Sequence, residues 1–337
     1  MRPDVEIRLC GQAEDPPSGC TAAGVAGAQS HRAPQQVDCV LTTTYKSRVY
    51  CRILRSGKIP AEVPVLVVNP NFYHPFLQLG GDCRKHTRRL REAQKVFPFD
   101  EDKDFYDLLI SAMPLKSDLT PLYLHLTQLW SRMGRQYFDH INKSVIQTVI
   151  EGGVADGWVS AQFLGSFENA VVYGFDPDRE LFQNSYHKPF LLHSRRFHYM
   201  PLGLWQQAAR LPFHVARTFT SRVTEQGLES ADDSIETTAV DDFVAAARID
   251  KVDFIKLDVE GAELDVMRGA RQTICNHRPQ LAVCVYHKLE HYYEIPLLLS
   301  QYTENYIFRI GHYSPFHLFS ETVLYGIPRE LYYSHPH

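Results

Sequence analysis

The chain has 337 residues and a formal net charge of -4, from 35 basic and 39 acidic side chains. Hydrophobic residues make up 44% of it and charged residues 22%, which is ordinary for a globular protein and excludes a wholly disordered or collagen-like chain. Because the charges nearly balance, general nucleic-acid binding through phosphate neutralisation is not expected. No apolar run reaches about 18 residues and no secretory signal is visible, so we expect a cytoplasmic protein with reduced thiols and no membrane span.

Sequence patterns divide the chain into four parts. Residues 1–36 are rich in Pro, Gly, Ala and Ser and predict a disordered tail. Residues 37–136 predict an N-terminal α/β extension that could cap the substrate. We expect the main domain at 137–330 and a short tail at 331–337. Within the extension, β-type runs and amphipathic stretches predict strands over 37–54 and 63–68 and helices over 84–95, 102–112 and from Thr120 onward.

From residue 144 onward, apolar runs alternate with amphipathic stretches, a pattern typical of a doubly wound α/β sheet. The strands of such a sheet are buried on both faces and therefore read as short apolar runs. Seven strands are predicted, at Thr148–Ile150, Val171–Phe175, Phe197–Met200, Phe254–Leu257, Leu281–Tyr286, Tyr306–Ile310 and Glu321–Ile327.

The first of these strands runs into a glycine-rich turn that begins with an acid, Glu151. Glycine lets a backbone approach a ligand closely, and the following helix would point its N-terminus at that ligand. The Gly-x-Gly-x-x-Gly spacing of dinucleotide enzymes fails from either start, which argues against a nicotinamide cofactor. Glu151, Gly153 and Gly157 instead fit the acidic-x-Gly-x-Gly-x-Gly pattern of methyltransferases that bind S-adenosylmethionine. Ala155 replaces the middle glycine, which a negative φ would tolerate, and Glu151 could receive the methionine ammonium directly or through water.

A second acid follows the next predicted strand. Asp176 lies 25 residues after Glu151, near the offset at which nucleotide-binding folds place an acid that accepts hydrogen bonds from both ribose hydroxyls. Asp178 precedes a helical stretch and is better suited as a helix N-cap. We therefore assign Asp176 to the ribose of the cofactor.

Further acids lie at the end of the fourth predicted strand, where open α/β sheets bind ligands. These are Asp258 and Glu260, although Glu260 could be an ordinary acid near the start of the next helix. His287 ends the neighbouring strand, and a neutral imidazole with a pKa near ~6.5 could take a proton from an alcohol. We predict catalytic roles for His287, Asp258 and Glu260. The same three residues suit Mg²⁺ or Mn²⁺, but a sequence cannot fix their distances, and no metal site is predicted.

Several segments resemble the FkbM-type methyltransferase family and occur in the expected order. They are Phe254–Glu263, Met267–Ala270, Arg278–Ala282, Val285–His287 and Glu321–Tyr325. The resemblance covers roughly residues 137–328 and implies a class I methyltransferase that uses S-adenosylmethionine. It also implies a Rossmann-like seven-stranded sheet with one antiparallel strand. At the matching positions, it implies that Glu151, Gly153, Ala155, Gly157 and Asp176 bind the cofactor.

Motifs and resemblance together predict O-methylation of a hydroxyl group on a sugar or another natural product. The acceptor would be a small molecule or a glycan, without nucleic acid as a partner. Two other functions remain open from the residues alone. One is a nicotinamide-dependent oxidoreductase on a related fold, and the other is a non-catalytic binding protein that retains the methyltransferase fold.

Overall fold

A computed structural model describes most of the chain from residue 83 onward, together with two short strands before it. The described ranges are 40–42, 65–67, 83–113, 120–126, 128–132, 134–214, 222–223, 233–314 and 319–332. The predicted tail at 1–36 lies outside these ranges, as do most of residues 37–82 and the last five residues. Among the described residues, no helix has both the length and the apolar character needed to cross a membrane.

Thirteen strands and eleven α-helices are formed by the described residues. The strands are β1 (Val40–Thr42), β2 (Val65–Val67), β3 (Thr148–Gly152), β4 (Val171–Phe175), β5 (Phe197–Met200), β6 (Gly203–Leu204), β7 (Ala209–His214), β8 (Arg222–Val223), β9 (Asp233–Thr238), β10 (Phe254–Leu257), β11 (Gln280–Cys284), β12 (Tyr306–His312) and β13 (Thr322–Pro328). The helices are α1 (Cys83–Gln94), α2 (Asp100–Ala112), α3 (Thr120–Leu126), α4 (Trp158–Ser166), α5 (Arg179–Gln183), α6 (Lys188–His193), α7 (Val240–Ala246), α8 (Glu263–Gly269), α9 (Arg271–His277), α10 (His291–Tyr302) and α11 (Arg329–Tyr332).

Seven strands form the central sheet, in the order β12-β13-β11-β10-β3-β4-β5. β13 runs antiparallel to both of its neighbours, and the remaining pairs are parallel. The predicted doubly wound sheet of seven strands with one antiparallel strand is thereby confirmed. Strands β10 and β11 are buried at every position, because helices cover both faces of the sheet.

The observed strand limits differ from the predicted ones in ways that matter for the site. β3 continues to Gly152, so the glycine-rich turn begins directly at the end of the strand. β11 ends at Cys284, two residues before its predicted end, and His287 therefore lies in the loop beyond the strand. The parallel strands β3, β4, β10 and β11 end at one edge of the sheet, which is called the carboxyl edge below.

Helices from the predicted extension share a hydrophobic core with the sheet. Leu90 of α1 and Phe105 of α2 belong to the same buried cluster as Ile255 and Leu281. α2 is also held to β12 by a buried ion pair, in which Arg309 Nε donates to Asp102 Oδ2 at 2.6 Å. The predicted boundary at residue 136 stays a prediction, but apolar packing crosses it.

Candidate active site

The glycine-rich turn after β3 places three residues in the left-handed backbone region. Gly153 has φ +80°, Ala155 +51° and Gly157 +79°. The expectation of a negative φ at Ala155 is therefore wrong, since the chain reverses there and the Ala155 N–H donates to Asp176 Oδ2 at 2.8 Å. A left-handed alanine is disfavoured by its Cβ, so this hydrogen bond helps to stabilise an unfavourable conformation. Gly157 directly precedes α4, whose N-terminus faces the turn.

Gly153 packs against the backbone at the end of β10. A Cβ atom built on it would lie 1.9 Å from the carbonyl oxygen of Asp258, which no real side chain could tolerate. The close approach therefore requires glycine for both space and φ. It also fixes the position of the turn relative to Asp258.

Beneath the turn lies a group of buried polar side chains, called the loop cluster: Glu151, Ser160, Asp176 and Lys256. Glu151 is fully buried, and its Oε2 accepts from Ser160 Oγ at 2.6 Å. Lys256 Nζ lies 3.9 Å from Glu151 Oε1 and donates to the carbonyl oxygens of Gly152 and Gly153. Burial raises the pKa of Glu151 to about 7, against the opposing effects of Lys256 and Ser160. Its partners are thus protein groups, and the predicted ammonium contact stays a prediction.

Asp176 also has its main partners in the backbone. Its two oxygens accept from the N–H groups of Ala155 and Asp178, at 2.8 and 2.9 Å. Burial raises the pKa of Asp176 to about 6, although both hydrogen bonds favour the carboxylate. Each oxygen keeps a second lone pair for a ligand hydroxyl. Asp178 caps α5 by accepting from Leu181 N–H, as predicted.

A second group of titratable side chains lies at the ends of β10 and β11, called the imidazole cluster: Asp258, Glu260, Glu263 and His287. His287 Nε2 lies 3.5 Å from Asp258 Oδ1 and 3.5 Å from Glu260 Oε2. On the other side of the ring, Nδ1 lies 2.7 Å from Glu263 Oε1. The structure therefore brings together all three residues that were predicted to be catalytic.

Exposure divides this cluster into an outer and an inner pair. The side chains of Asp258 and Glu260 are each 25% exposed, whereas His287 is 7% and Glu263 0% exposed. Glu263 Oε1 also accepts from Val259 N–H, and its Oε2 from Gly261 N–H. The outer carboxylates can therefore meet a ligand, while the inner pair supports them.

Charge in the imidazole cluster favours a protonated His287. Burial alone would lower the pKa of His287, but Glu263, together with Glu260 and Asp258, raises it well above its usual value. Burial would likewise raise the pKa of Glu263, yet His287 and His291 bring it well below its usual value. The carboxylates therefore favour the protonated form of His287, and Glu263 holds the Nδ1 side of its ring.

Three side chains at the site were not singled out in the sequence. The Tyr137 hydroxyl donates to Asp258 Oδ2 at 2.8 Å, and its ring lies 5.1 Å from Lys256 Nζ. The Tyr286 hydroxyl donates to Asp258 Oδ1 at 3.3 Å. A lysine inside an apolar strand was the available signal for Lys256, because lysine is rarely buried without partners. Nothing in the local sequence marks Tyr137, which arrives from a turn.

Comparison with known proteins agrees with this arrangement at the level of fold and family. Residues 153–310, just under half of the chain, match the family described as Methyltransferase FkbM domain. The match begins in the glycine-rich turn and includes the whole imidazole cluster. A search of curated proteins gives no match.

Among solved structures, the chain is similar to the methyltransferase FkbM of Methylobacillus flagellatus KT. The TM-score is 0.63 at 19% identity, and the alignment covers 85% of this chain and 72% of that one. Fibrillarin from Aeropyrum pernix, solved with natively bound S-adenosyl-L-methionine, gives a TM-score of 0.36 at 12% identity over 61% of this chain and 76% of that one, too low to support an argument. Sheet order and site geometry define a class I methyltransferase fold. Residues 153–310 of the chain are similar to the FkbM-type methyltransferase domain.

Proposed function

We propose that the protein transfers a methyl group from S-adenosylmethionine to a hydroxyl oxygen of a small-molecule or glycan acceptor. The observation that carries this proposal is the arrangement of the carboxyl edge. A turn with three left-handed residues lies next to Asp176. Gly153 of this turn contacts the backbone of Asp258, and the side chains of Asp258 and Glu260 are partly exposed. One edge thus offers a place for a nucleoside beside a polar place for an acceptor.

The residues of the turn fit the cofactor. Glycines at positions 153 and 157 let the turn pack closely against Asp258 and Leu191 at positive φ, and α4 begins directly behind the turn. Asp176 would bind the ribose hydroxyls through its remaining lone pairs. When bound, S-adenosylmethionine supplies the methyl group: an O–CH₃ bond forms, the S–CH₃ bond breaks with its electron pair left on sulfur, and the hydroxyl proton leaves.

Alignment of the acceptor oxygen is the main task left to the protein, because an in-line displacement needs little covalent assistance. Asp258 and Glu260 can accept a hydrogen bond from the acceptor hydroxyl and thereby orient its oxygen. His287 was predicted to act as the base, but the carboxylates around it raise its pKa well above the usual value, which favours the protonated ring. We therefore propose Asp258 as the proton acceptor and His287 as a positioning residue that holds the two outer carboxylates in place.

Calorimetry combined with a turnover assay tests this function. We expect S-adenosylhomocysteine to bind and NAD not to bind. Methyl transfer to a panel of sugar and polyketide alcohols should be detected with labelled S-adenosylmethionine. Binding of NAD alone would favour the oxidoreductase, and binding without any turnover would favour a non-catalytic protein. The cytoplasmic location is tested separately, by fractionation.

Asp258→Asn tests the assigned proton acceptor. The amide cannot take the proton, so turnover should fall about 100-fold or more, while affinity for S-adenosylhomocysteine stays within about threefold of the wild type. Asp265→Asn on α8 is the matched control, since Asp265 pairs with Arg268 outside the cluster. Unchanged turnover in Asp258→Asn would show that proton removal does not depend on this carboxylate.

A further inference from the structure

The imidazole cluster contains a buried nitrogen without a hydrogen-bond partner. His287 Nε2 is fully buried and has no hydrogen-bond partner among the residues that the structure describes, and its side chain is 93% buried. Such atoms are uncommon, because an unpaired buried polar group loses its hydrogen bonds to water without replacing them. The atom points between one oxygen of Asp258 and one oxygen of Glu260, each 3.5 Å away.

Two of the distances among these three atoms, 3.5 Å from His287 Nε2 to each carboxylate oxygen, are close to the spacing of ligands around one cation. Each residue offers a single donor atom, and all three atoms lie within 4.8 Å of one another. Two donors bound at ~2.1 Å to the same ion are about 3 Å apart at right angles and about 3.4 Å apart in a tetrahedron. A small inward movement of the two outer carboxylates would therefore complete the coordination.

The other side of the His287 ring is held as in known metal centres. Metal-bound histidines usually donate a hydrogen bond from their second ring nitrogen to a carboxylate, which fixes the orientation of the ring. Glu263 occupies this position at 2.7 Å from Nδ1, and the backbone N–H groups of Val259 and Gly261 hold it in turn. His287 is thus fixed with Nε2 directed at the outer carboxylates. A cation bound there takes the place of the Nε2 proton, so His287 would coordinate it as the neutral imidazole.

We infer that Asp258, Glu260 and His287 bind a divalent cation, with Glu263 as the carboxylate that orients the imidazole. The sequence assigned no metal here, because the distances that carry the inference exist only in the fold. Two carboxylates and one imidazole suit a cation such as Mn²⁺, which accepts both oxygen and nitrogen ligands. Three protein ligands leave coordination positions open for small molecules.

The use of this cation rests on the proposed function, although the binding site itself does not. A hydroxyl oxygen that occupies an open position would be held at a fixed point of the carboxyl edge. The cation would also lower the pKa of that hydroxyl, so that its proton passes more readily to Asp258, the proposed proton acceptor. The cation thus supplies both orientation and activation of the acceptor.

Titration of the purified, chelator-treated protein with Mn²⁺, followed by electron paramagnetic resonance, tests the site. We expect one Mn²⁺ per chain, and affinity at least about 10-fold weaker in Asp258→Asn and in Glu260→Gln. Glu260→Gln is a second variant of a partly exposed side chain, so loss of binding in both does not depend on one fold defect. Asp265→Asn is the control and should bind as the wild type. Absence of Mn²⁺ binding in the wild type, or wild-type affinity in both variants, would overturn the site.

A parallel measurement separates this inference from the methyltransferase proposal. Calorimetry with S-adenosylhomocysteine is repeated in the presence of EDTA, and turnover is measured with and without added Mn²⁺. Turnover that persists undiminished in EDTA would overturn the role of the cation while leaving methyl transfer intact. Specific Mn²⁺ binding without S-adenosylhomocysteine binding would support the metal site and contradict the proposed function.

Discussion

The loop cluster and the imidazole cluster lie at the same edge of one sheet, yet their polar groups are satisfied in different ways. In the loop cluster, Asp176 and Lys256 hydrogen-bond to backbone groups of the glycine-rich turn and its surroundings. In the imidazole cluster, His287 Nε2 has no such partner, and two carboxylates are partly exposed. The loop cluster holds the backbone of the glycine-rich turn in place, whereas the imidazole cluster leaves side-chain atoms available for a ligand.

A substitution at Gly153, in the glycine-rich turn above the loop cluster, should have the largest effect on cofactor binding and stability. Gly153→Val places a branched side chain against the Asp258 carbonyl and at a φ of +80°, so we expect loss of S-adenosylhomocysteine binding and more than about 2 kcal/mol of stability. Calorimetry and thermal unfolding measure the two effects. Gly165→Ala is the control: it has open space around it within α4 and should be neutral or slightly stabilising. Normal binding in Gly153→Val would show that the turn does not shape the cofactor site.

Asp176→Ala tests the role of the loop cluster directly. It removes the carboxylate that accepts hydrogen bonds from the backbone of the turn and that is expected to bind the ribose. Affinity for S-adenosylhomocysteine should fall by ~1.5–3 kcal/mol through loss of charge-assisted hydrogen bonds. Asp178→Ala is the matched control. It removes the cap of α5 and costs about 1 kcal/mol of stability, but leaves the dissociation constant unchanged. Equal affinities in the wild type and Asp176→Ala would place Asp176 outside the site.

The smallest expected effect concerns the pH dependence of stability. The pKa of Glu151 is raised by burial to about 7, so its contribution to stability is present below its ordinary pKa and is lost as the pH rises through 7. Glutamine at this position cannot titrate. Between pH 5 and pH 8, the free energy of unfolding of Glu151→Gln should therefore fall by about 1–3 kcal/mol less than that of the wild type. Urea unfolding at several pH values measures this. Glu236→Gln removes an exposed carboxylate and should show the pH dependence of the wild type. A wild-type pH dependence in Glu151→Gln would contradict the raised pKa of Glu151.

Much of the sheet could be predicted from the sequence, because strands buried on both faces leave compact apolar runs. The neighbourhood of Asp258 and His287 followed from strand ends that share one edge. The partners of Glu151 did not, since Lys256 and Ser160 arrive from another strand and from α4. Tyr137 was missed for the same reason, as its contact with Asp258 joins residues 121 positions apart.

Residues 153–310 match the family model, but the core in which they pack extends beyond this range. Arg309 lies inside this range, whereas Asp102, which accepts from its guanidinium at 2.6 Å, lies far outside it. Leu90 and Phe105 likewise fill the core formed with Leu281. A protein trimmed to residues 153–310 would carry buried Arg309 without its counter-ion Asp102, and an apolar face without its cover. The length of chain that matches the family model is therefore shorter than the length that packs as one core.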